Sequence, residues 1–334
     1  MNTHSPPAPG PTGPNGTLQA LDPRLAGVVA GLLAAAMIAS TVLGFALSGV
    51  LFFFAALPIF FVGHSHGSAA AIIAGVVAVL AVGALQTLTG ALLAAVSISI
   101  PAAYAAWLLN LARPAEELGG PSDGLAWYPL ADVMLRMCLA VAAGAVVLGF
   151  AIGFDTASLR DALDGALTEV ARNNPGQFDA LLTETDRRET AGLVAGMLPV
   201  FQPAMAVLTL VTNLYLAGRI ARGAGLAKRP RDDMALALRL PVLGLLLFGI
   251  ALGLSFFAGP VGQVARAFAG ALGMGFTLAG FAVLHHRSRG IGGARLPLLI
   301  AIYLGTLIFA LPALAMLALG LFSTARAVPI SRKE

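Results

Sequence analysis

Long apolar runs with almost no charge recur from residue 25 to residue 322, and they constrain the fold most strongly. The run 69–85, for example, contains no ionisable side chain. A helix needs about 20 apolar residues, each rising about 1.5 Å, to cross a hydrocarbon layer about 30 Å thick. Because no water satisfies backbone polar groups at that depth, such runs must be helical. We therefore predict an all-α fold, a polytopic transmembrane helical bundle of eight or nine spans in the bacterial inner membrane.

Nine runs are predicted as spans, and the first pair leaves room for a re-entrant segment. They cover residues 25–43, 46–62, 67–85, 88–111, 132–152, 191–216, 240–257, 261–284 and 296–321. Together they define a transmembrane domain over 25–322, followed by a tail over 323–334. Residues 1–24 are rich in Pro and Gly and poor in apolar side chains, so we predict a disordered tail and no secretory signal.

Residues 155–189 form the one sizeable polar insertion, with eight carboxylates and four arginines. Apolar residues recur there at helical spacing, which predicts a small amphipathic helical insertion on the extracytoplasmic side: Leu159, Leu163, Leu167 and Val170. The segment 174–177 resembles the start of a second helix. Its apolar face would be Phe178, Leu181 and Leu182. The insertion is interpreted as a lid on the membrane surface, with a partner-docking site as the alternative.

Several functional classes find no support in the sequence. It lacks His-Glu-x-x-His, Gly-x-Ser-x-Gly and a Gly-rich loop ending in Lys-Ser or Lys-Thr, so we predict neither an enzyme nor a cofactor. No basic run is interleaved with aromatic residues, so nucleic acid is not an expected partner. The single cysteine, Cys138, lies in an apolar run and is interpreted as a small buried hydrophobe.

Small residues four apart predict close helix packing at two places in the apolar runs. The first is Gly27 with Gly31, and the second is Ala265 with Ala269 and Gly273.

Polar residues at membrane depth are the candidate ligand contacts, because burying one without a partner costs several kcal/mol. Trp127, Tyr128 and Pro129 precede the fifth span, which carries Asp132 and Arg136 on one helix face. An interfacial ion pair beneath an aromatic anchor and a ligand or ion contact are both open interpretations.

The sixth span carries Gln202, with Thr209 and Asn213 each within about 20° of it around a helix. Pro199 and Pro203 flank Gln202 and predict a broken helix, as in transporters that bind substrate at the membrane midplane. Hydrogen bonding between helices is the alternative.

Two further places carry polar residues that are weaker candidates. Arg266 follows Gln263 by one turn in the eighth span, where an arginine can also snorkel to the boundary. His64 and His66 lie in a predicted tight turn over 63–66. Two histidines two residues apart do not share a helix face, so we predict a solvated or pH-sensitive turn and no metal site.

Two motifs carry a resemblance to a known family. Leu57-Pro58-Ile59-Phe60-Phe61-Val62-Gly63 closes the second span, and Trp127-Tyr128-Pro129-x-x-Asp132 precedes the fifth. With the number and spacing of the spans, they resemble the YybS-like family of predicted bacterial membrane proteins, whose function is not established. That family is in turn similar to the S-components of energy-coupling-factor vitamin transporters. The resemblance implies a bundle that binds a small molecule and docks a partner subunit through alanines four apart, here Ala26, Ala30 and Ala34.

The sequence therefore predicts an integral membrane protein of the transport or small-molecule-binding type. The ligand contacts would be Trp127, Asp132, Arg136, Gln202, Asn213 and Arg266. The expected partners are the lipid bilayer, a small-molecule ligand and a membrane partner subunit. A membrane scaffold that recruits a protein is the main alternative, and a lipid-modifying enzyme is a remote one.

Orientation follows from the basic loops, because Lys and Arg near span ends mark the cytoplasmic side. The loops 219–239 and 285–295 are both basic, which places them and the amino terminus in the cytoplasm. Counting forwards places the carboxyl terminus outside, although 326–333 is also basic. We expect cysteines introduced beside Lys228 and Arg289 to resist a membrane-impermeant maleimide in intact cells, and one beside Asp179 to react. Labelling beside Lys228 would reverse the predicted topology.

Overall fold

Helices make up nearly all of the computed structural model, which describes residues 21–43, 47–121, 123–152, 156–173 and 183–325. The first helices are α1 (Pro23–Ala39), α2 (Ser48–Phe53), α3 (Leu57–Ser65), α4 (Ser68–Leu85), α5 (Leu88–Ala94) and α6 (Ile100–Leu109). A π-helical turn, Ala95–Ser99, joins α5 to α6. Strands β1 (Ala112–Pro114) and β2 (Leu125–Trp127) then pair antiparallel, with Arg113 opposite Ala126.

The later helices begin with α7 (Leu130–Ile152), α8 (Thr156–Asn173) and α9 (Glu184–Gly223). They continue with α10 (Met234–Ala237), α11 (Val242–Leu254), α12 (Gly259–Arg287), α13 (Arg295–Ile308) and α14 (Ala310–Ala325). Short 3₁₀ turns at Ser40–Leu43, Ala115–Leu118, Ser288–Gly290 and Gly292–Ala294 complete the described elements.

Seven stretches among the described residues are long and apolar enough to cross a membrane, and the bent pair α13–α14 would make eight. The predicted all-α polytopic bundle is confirmed, and the upper count of eight spans equals the lower end of the predicted range of eight or nine. The predicted span 240–257 contains only the 13 residues of α11, about 20 Å of helix, because Pro241 precedes it and Ser255 ends it. The predicted span 296–321 bends by 114°, since Phe309 is extended and Pro312 cannot donate a helical hydrogen bond.

Helix α9 differs from its predicted span in both length and continuity. It runs for 40 residues, about 60 Å, and Pro199 and Pro203 lie inside it. The predicted break near Gln202 is therefore wrong. Thr183 and Asp186 start α9 with reciprocal hydrogen bonds, in which Thr183 N donates to Asp186 Oδ2 over 2.8 Å and Asp186 N donates to Thr183 Oγ1 over 3.2 Å.

The polar insertion consists of α8 and the first turns of α9. Leu163 and Leu167 of α8 are half-buried, as predicted, but Val170 is exposed. Arg188 forms ion pairs with Glu184 at 2.9 Å and with Asp164 at 3.8 Å. The second helix predicted from 174–177, with its apolar residues up to Leu182, lies outside the described residues.

The predicted tails also need correction at their inner edges. Helix α1 already begins at Pro23, where the Asp22 carboxylate accepts a hydrogen bond from Arg24 N over 2.6 Å. Helix α14 continues to Ala325, three residues into the predicted carboxyl-terminal tail. The remainder of both predicted tails lies outside the described residues.

The described chain forms two compact units, one from 21–133 with 209–233 and the other from 134–208 with 234–325. In the first unit, α1, α3 and α6 pack on α4. A Cβ atom at Gly27 would lie 2.7 Å from the Ala70 carbonyl oxygen, and one at Gly31 would lie 2.6 Å from that of Ala74. The predicted Gly27–Gly31 packing surface is therefore confirmed.

The alanines implied as a partner-docking surface face into this first unit. Ala26, Ala30 and Ala34 are 6%, 6% and 0% exposed. They are occupied by packing within the chain, so this implied docking surface is wrong for the structure described.

In the second unit, α10, α11 and α14 pack on α12. Ala265 and Ala269 are buried, and Gly273 faces the Phe248 ring, as expected for a packing surface. Closer approaches on α12 are at Gly270 and Gly280, where a Cβ atom would collide with the carbonyl groups of Val200 and Met316.

Replacement of Gly31 by Ala tests the α1–α4 contact. We expect Gly31→Ala to lower the free energy of unfolding, because overpacking costs about 1–3 kcal/mol. Gly49→Ala is the matched control, since nothing lies within 4 Å of its added Cβ and helix propensity favours Ala by about 0.5–1 kcal/mol. Melting temperatures in detergent measure both, and equal values would contradict the close contact.

Candidate functional site

A break between α2 and α3 places one polar side chain at the centre of the first unit. In a continuous helix Leu57 N would donate to the Phe53 carbonyl, but here it donates to the Phe54 carbonyl over 3.0 Å. Asn213 Nδ2 donates instead to the Phe53 carbonyl and to the Thr209 carbonyl, both over 2.7 Å. Asn213 is fully buried, so its amide satisfies a carbonyl that the break exposes.

The carboxyl end of α3 is held in the same way. Asn110 Nδ2 donates to the Gly63 carbonyl over 3.0 Å, and Lys228 Nζ donates to the His66 carbonyl over 3.2 Å. Cations and amide donors are favoured at helix carboxyl ends, where carbonyls lack helical partners. The helix continues through Ser65 and turns at Gly67, whose φ of 99° suits glycine. A turn was predicted over 63–66, but residues 63–65 are still helical and the chain turns at Gly67.

His64 and His66 differ from the solvated pair that was predicted. His64 is half-buried, and its Nε2 has no hydrogen-bond partner among the described residues. Gly218 lies beside it, since a Cβ added there would be 3.2 Å from that nitrogen. His66 Nδ1 lies 2.8 Å from Ser65 Oγ. No three His, Cys, Asp or Glu side chains within the described ranges are grouped to hold a metal ion.

Arg229 ties the loop after α9 to the end of α6 and to the Trp127–Pro129 turn. Its Nε and Nη2 donate to the Asp232 carboxylate over 2.8 and 3.0 Å. Its Nη1 donates to the Tyr128 carbonyl over 2.9 Å and to the Leu109 carbonyl over 3.3 Å. Four of its five N–H groups thus have acceptors, and its charge is balanced, so this cluster is structural and offers no open anion site.

Trp127 is the one predicted contact residue that belongs to this cluster. It is half-buried, and the Arg229 guanidinium lies 5.9 Å from its ring centroid. Asp132 is half-buried in the first turn of α7, whereas Arg136 is exposed.

The remaining predicted contacts also fall at helix ends or within packed helices. Arg266 is half-buried, and its Nε donates to the Ser255 carbonyl over 3.1 Å, just beyond the end of α11. Gln202 is half-buried in α9, and Gln263 is half-buried with an unpaired Oε1 among the described residues. Trp127, Asp132 and Asn213 belong to the first unit, and Arg136, Gln202 and Arg266 belong to the second.

Sequence reasoning missed Arg229 and Asn110 as structural donors. Arg229 was counted only as one charge of a basic loop, although Asp232 follows it by three residues and offers a local partner. Asn110 directly follows an apolar run, which is where a helix end needs donors.

A groove of about 520 Å³ lies between α4 and the α5–α6 segment of the first unit, and we call it the α4–α6 groove. It follows α4 from Ile72 to Leu80, and its other wall runs from Ala95 to Trp107. Val76 and Leu80 are 53% and 67% exposed, so the groove lies on the surface of the bundle. Its lining is apolar except for Ser99, Tyr104 and Trp107, and it carries no charge.

Ser99 gives this groove a polar point near the middle of the apolar stretch Leu88–Leu109. It ends the π-helical turn, is 1% exposed, and its hydroxyl has no hydrogen-bond partner among the described residues. Opposite it, Gly75 lacks a side chain, and a Cβ there would lie 3.4 Å from the Ser99 carbonyl. At the end of α6, the Tyr104 and Trp107 rings are stacked with centroids 5.9 Å apart.

These features define a polytopic α-helical membrane protein, in which Asn213 and Arg266 donate to backbone carbonyls. The chain belongs to the family described as Predicted membrane protein (DUF2232), whose profile matches residues 31–323. The resemblance to the YybS-like membrane family is thereby confirmed. The similarity to energy-coupling-factor S-components stays a prediction. No curated protein and no solved structure matches the chain.

Replacement of Arg229 by Gln tests the loop anchor. We expect a loss of at least about 2 kcal/mol in the free energy of unfolding, because two carbonyls and a carboxylate lose charged donors. Arg231→Gln removes the same charge from an exposed side chain two residues away, and it should change stability by less than about 0.5 kcal/mol. Chemical denaturation in detergent compares them, and equal effects would show that the buried geometry of Arg229 is unimportant.

Proposed function

We propose that this protein binds a lipid-soluble small molecule within the membrane and that the α4–α6 groove is the binding site. The proposal keeps the small-molecule-binding part of the transport-type function predicted from the sequence. It moves the site away from the six predicted contact residues. The observation that carries it is an uncharged groove with an unpaired, buried hydroxyl near mid-span.

The groove has the size and lining of a site for an uncharged ligand. Its volume of about 520 Å³ falls in the range of about 300–1,000 Å³ that is usual for ligand pockets. A charged group would lose its hydration there without an opposite charge in return. The ligand should therefore be apolar over most of its length.

Ser99 supports a ligand with one oxygen function. A buried hydroxyl without a partner costs about 1–3 kcal/mol, and a ligand carbonyl or hydroxyl group reaching Ser99 would recover part of that cost. The π-helical turn that ends at Ser99 favours the same assignment, because π-bulges occur frequently at functional sites. We infer that the ligand carries a carbonyl or hydroxyl group on an apolar chain or ring.

The predicted polar residues give weaker support to a path for a polar solute than the groove gives to an apolar ligand. Asn213 and Arg266 both donate to backbone carbonyls beside breaks or ends of helices. Such bonds stabilise the bundle whether or not a ligand is present.

A membrane scaffold remains the second candidate, and one observation favours it. Helix α9 is about twice as long as a span, and its first turns form a charged pair of helices with α8 through Arg188. The charged surface of α8 and the first turns of α9 would be available to a protein partner. In that case the α4–α6 groove would hold only bulk lipid.

Photolabelling with a diazirine-bearing long-chain fatty alcohol separates the two candidates. We expect labelling of α4 and α6 peptides in the purified protein, and its loss in Ala103→Phe, which fills the groove. Leu88→Phe, at a position 87% exposed and outside the groove, is the matched control and should label like the parent protein. Ser99→Ala should abolish the preference for the alcohol over an alkane probe of equal length.

Ligand stabilisation gives an independent measurement. The alcohol at about 100 times its Kd should add about 2.7 kcal/mol to the free energy of unfolding of the parent protein, and little to that of Ala103→Phe. Equal labelling and equal stabilisation of all variants would contradict a specific groove site and favour the scaffold.

A further inference from the structure

The last turn of α3 meets the last turns of α9 at Gly218, where two basic side chains lie over the glycine. A Cβ atom added to Gly218 would lie 3.2 Å from His64 Nε2, 3.3 Å from Arg222 Nη1 and 3.4 Å from Arg222 Nη2. His64 belongs to α3 and Arg222 to α9, and all three residues belong to the first unit. Three nitrogen atoms from two helices therefore surround one point, which glycine leaves free of a side chain of its own.

These nitrogen atoms have no hydrogen-bond acceptor within the described part of the chain. His64 Nε2 is buried and has no partner there. Arg222 is half-buried, and it donates no hydrogen bond to another described residue, whereas Arg219 of the same helix donates to the Tyr215 hydroxyl over 3.2 Å. A half-buried guanidinium without an acceptor costs free energy that an oxyanion would recover.

A carboxylate lies near this point, but a different arginine already binds it. Asp232 acts electrostatically on both His64 and Arg222. Its two oxygens accept hydrogen bonds from Arg229 over 2.8 and 3.0 Å. Because Arg229 is buried, Asp232 would neutralise Arg222 only by giving up a buried pair. Arg231 also acts on Arg222, so the Arg222 guanidinium has a further cation nearby.

We propose that His64, Gly218 and Arg222 form a binding site for a phosphate group where α9 ends and the basic loop 219–239 begins. Guanidinium groups bind phosphate oxygens in pairs. An imidazole Nε2 carries a proton in one neutral tautomer and in the imidazolium form, so it is a second donor. The missing side chain at Gly218 lets one anion approach both groups.

This site is independent of the proposed function, because none of its three residues lines the α4–α6 groove. The loop after α9 is predicted to face the cytoplasm, where phosphate groups occur on lipid headgroups and on soluble compounds. The phosphate group is common to both sources, and the experiment distinguishes them.

Melting temperatures of the full-length protein in neutral detergent test the proposal. Sodium phosphate is compared with sodium chloride of equal ionic strength, which gives the effect of screening alone. Phosphatidylglycerol is compared with phosphatidylcholine, whose headgroup carries no net charge. We expect sodium phosphate or phosphatidylglycerol to stabilise the parent protein more than its control does.

Two arginine variants test the donors. Arg222→Gln should bind the stabilising compound at least about tenfold more weakly, because charged hydrogen bonds are lost. Arg231→Gln removes the same charge from an exposed side chain and should bind like the parent. Arg222→Lys keeps the charge without the paired donors and should retain part of the stabilisation.

Gly218→Ala tests the geometry without removing a charge. Its methyl group would occupy the point that the three nitrogen atoms surround, so we expect binding to weaken several-fold. Gly223→Ala is the matched control in the same helix, since nothing lies within 4 Å of its added Cβ, and it should bind like the parent.

The compound that stabilises the parent identifies the source of the phosphate group. If sodium phosphate does so, the ligand is a soluble phosphate compound. If only phosphatidylglycerol does so, the ligand is a lipid headgroup. The proposal would be overturned if neither compound stabilised the parent beyond its control, or if Arg222→Gln and Arg231→Gln weakened binding equally. Parent-like binding by Gly218→Ala would also overturn it.

Discussion

Backbone carbonyls that lose their helical partners are the constraint on which this structure depends. In hydrocarbon no water replaces a missing donor, so each break or helix end needs a side chain that supplies one. Asn213 does this for the break between α2 and α3, and Asn110 does it near the end of α3. Arg229 and Arg266 do the same at the ends of α6 and α11. Among the predicted contacts, Asn213 and Arg266 are thereby explained as structural donors, which is why these two make a poor argument for a polar transport path.

Once those donors are accounted for, the groups that stay unpaired become informative. Among the described residues, Ser99 has a buried hydroxyl without a partner beside an apolar groove, and His64 has a buried ring nitrogen without one beside the Arg222 guanidinium. The first is uncharged and lies near mid-span, whereas the second lies at a helix end. The surroundings of Ser99 favour an uncharged, lipid-soluble ligand in the groove, as proposed above.

The two family motifs gain a physical meaning from the same constraint. The motif from Leu57 to Gly63 forms most of α3, whose Ile59 and Phe60 are fully buried. Its last residue, Gly63, supplies the carbonyl that Asn110 binds. In the second motif, Tyr128 supplies the carbonyl that Arg229 binds, and Trp127 lies against the same guanidinium. The first motif therefore forms a helix end and the second forms the turn before α7, and each presents a backbone carbonyl to a donor from a distant part of the chain.

The sequence by itself determined the class of protein, because apolar runs of this length have only one stable form in lipid. It also determined most helix positions and the Gly27–Gly31 contact, since both follow from local patterns. Only the tertiary structure decided that α9 is continuous through Pro199 and Pro203, that α11 is short, and that Ala26 and Ala34 face inward. The pairing of Arg229 with the Leu109 and Tyr128 carbonyls spans more than 100 residues and leaves no local pattern. Partners of that kind depend on which helix ends the packing brings together, and a single sequence read locally does not contain that information.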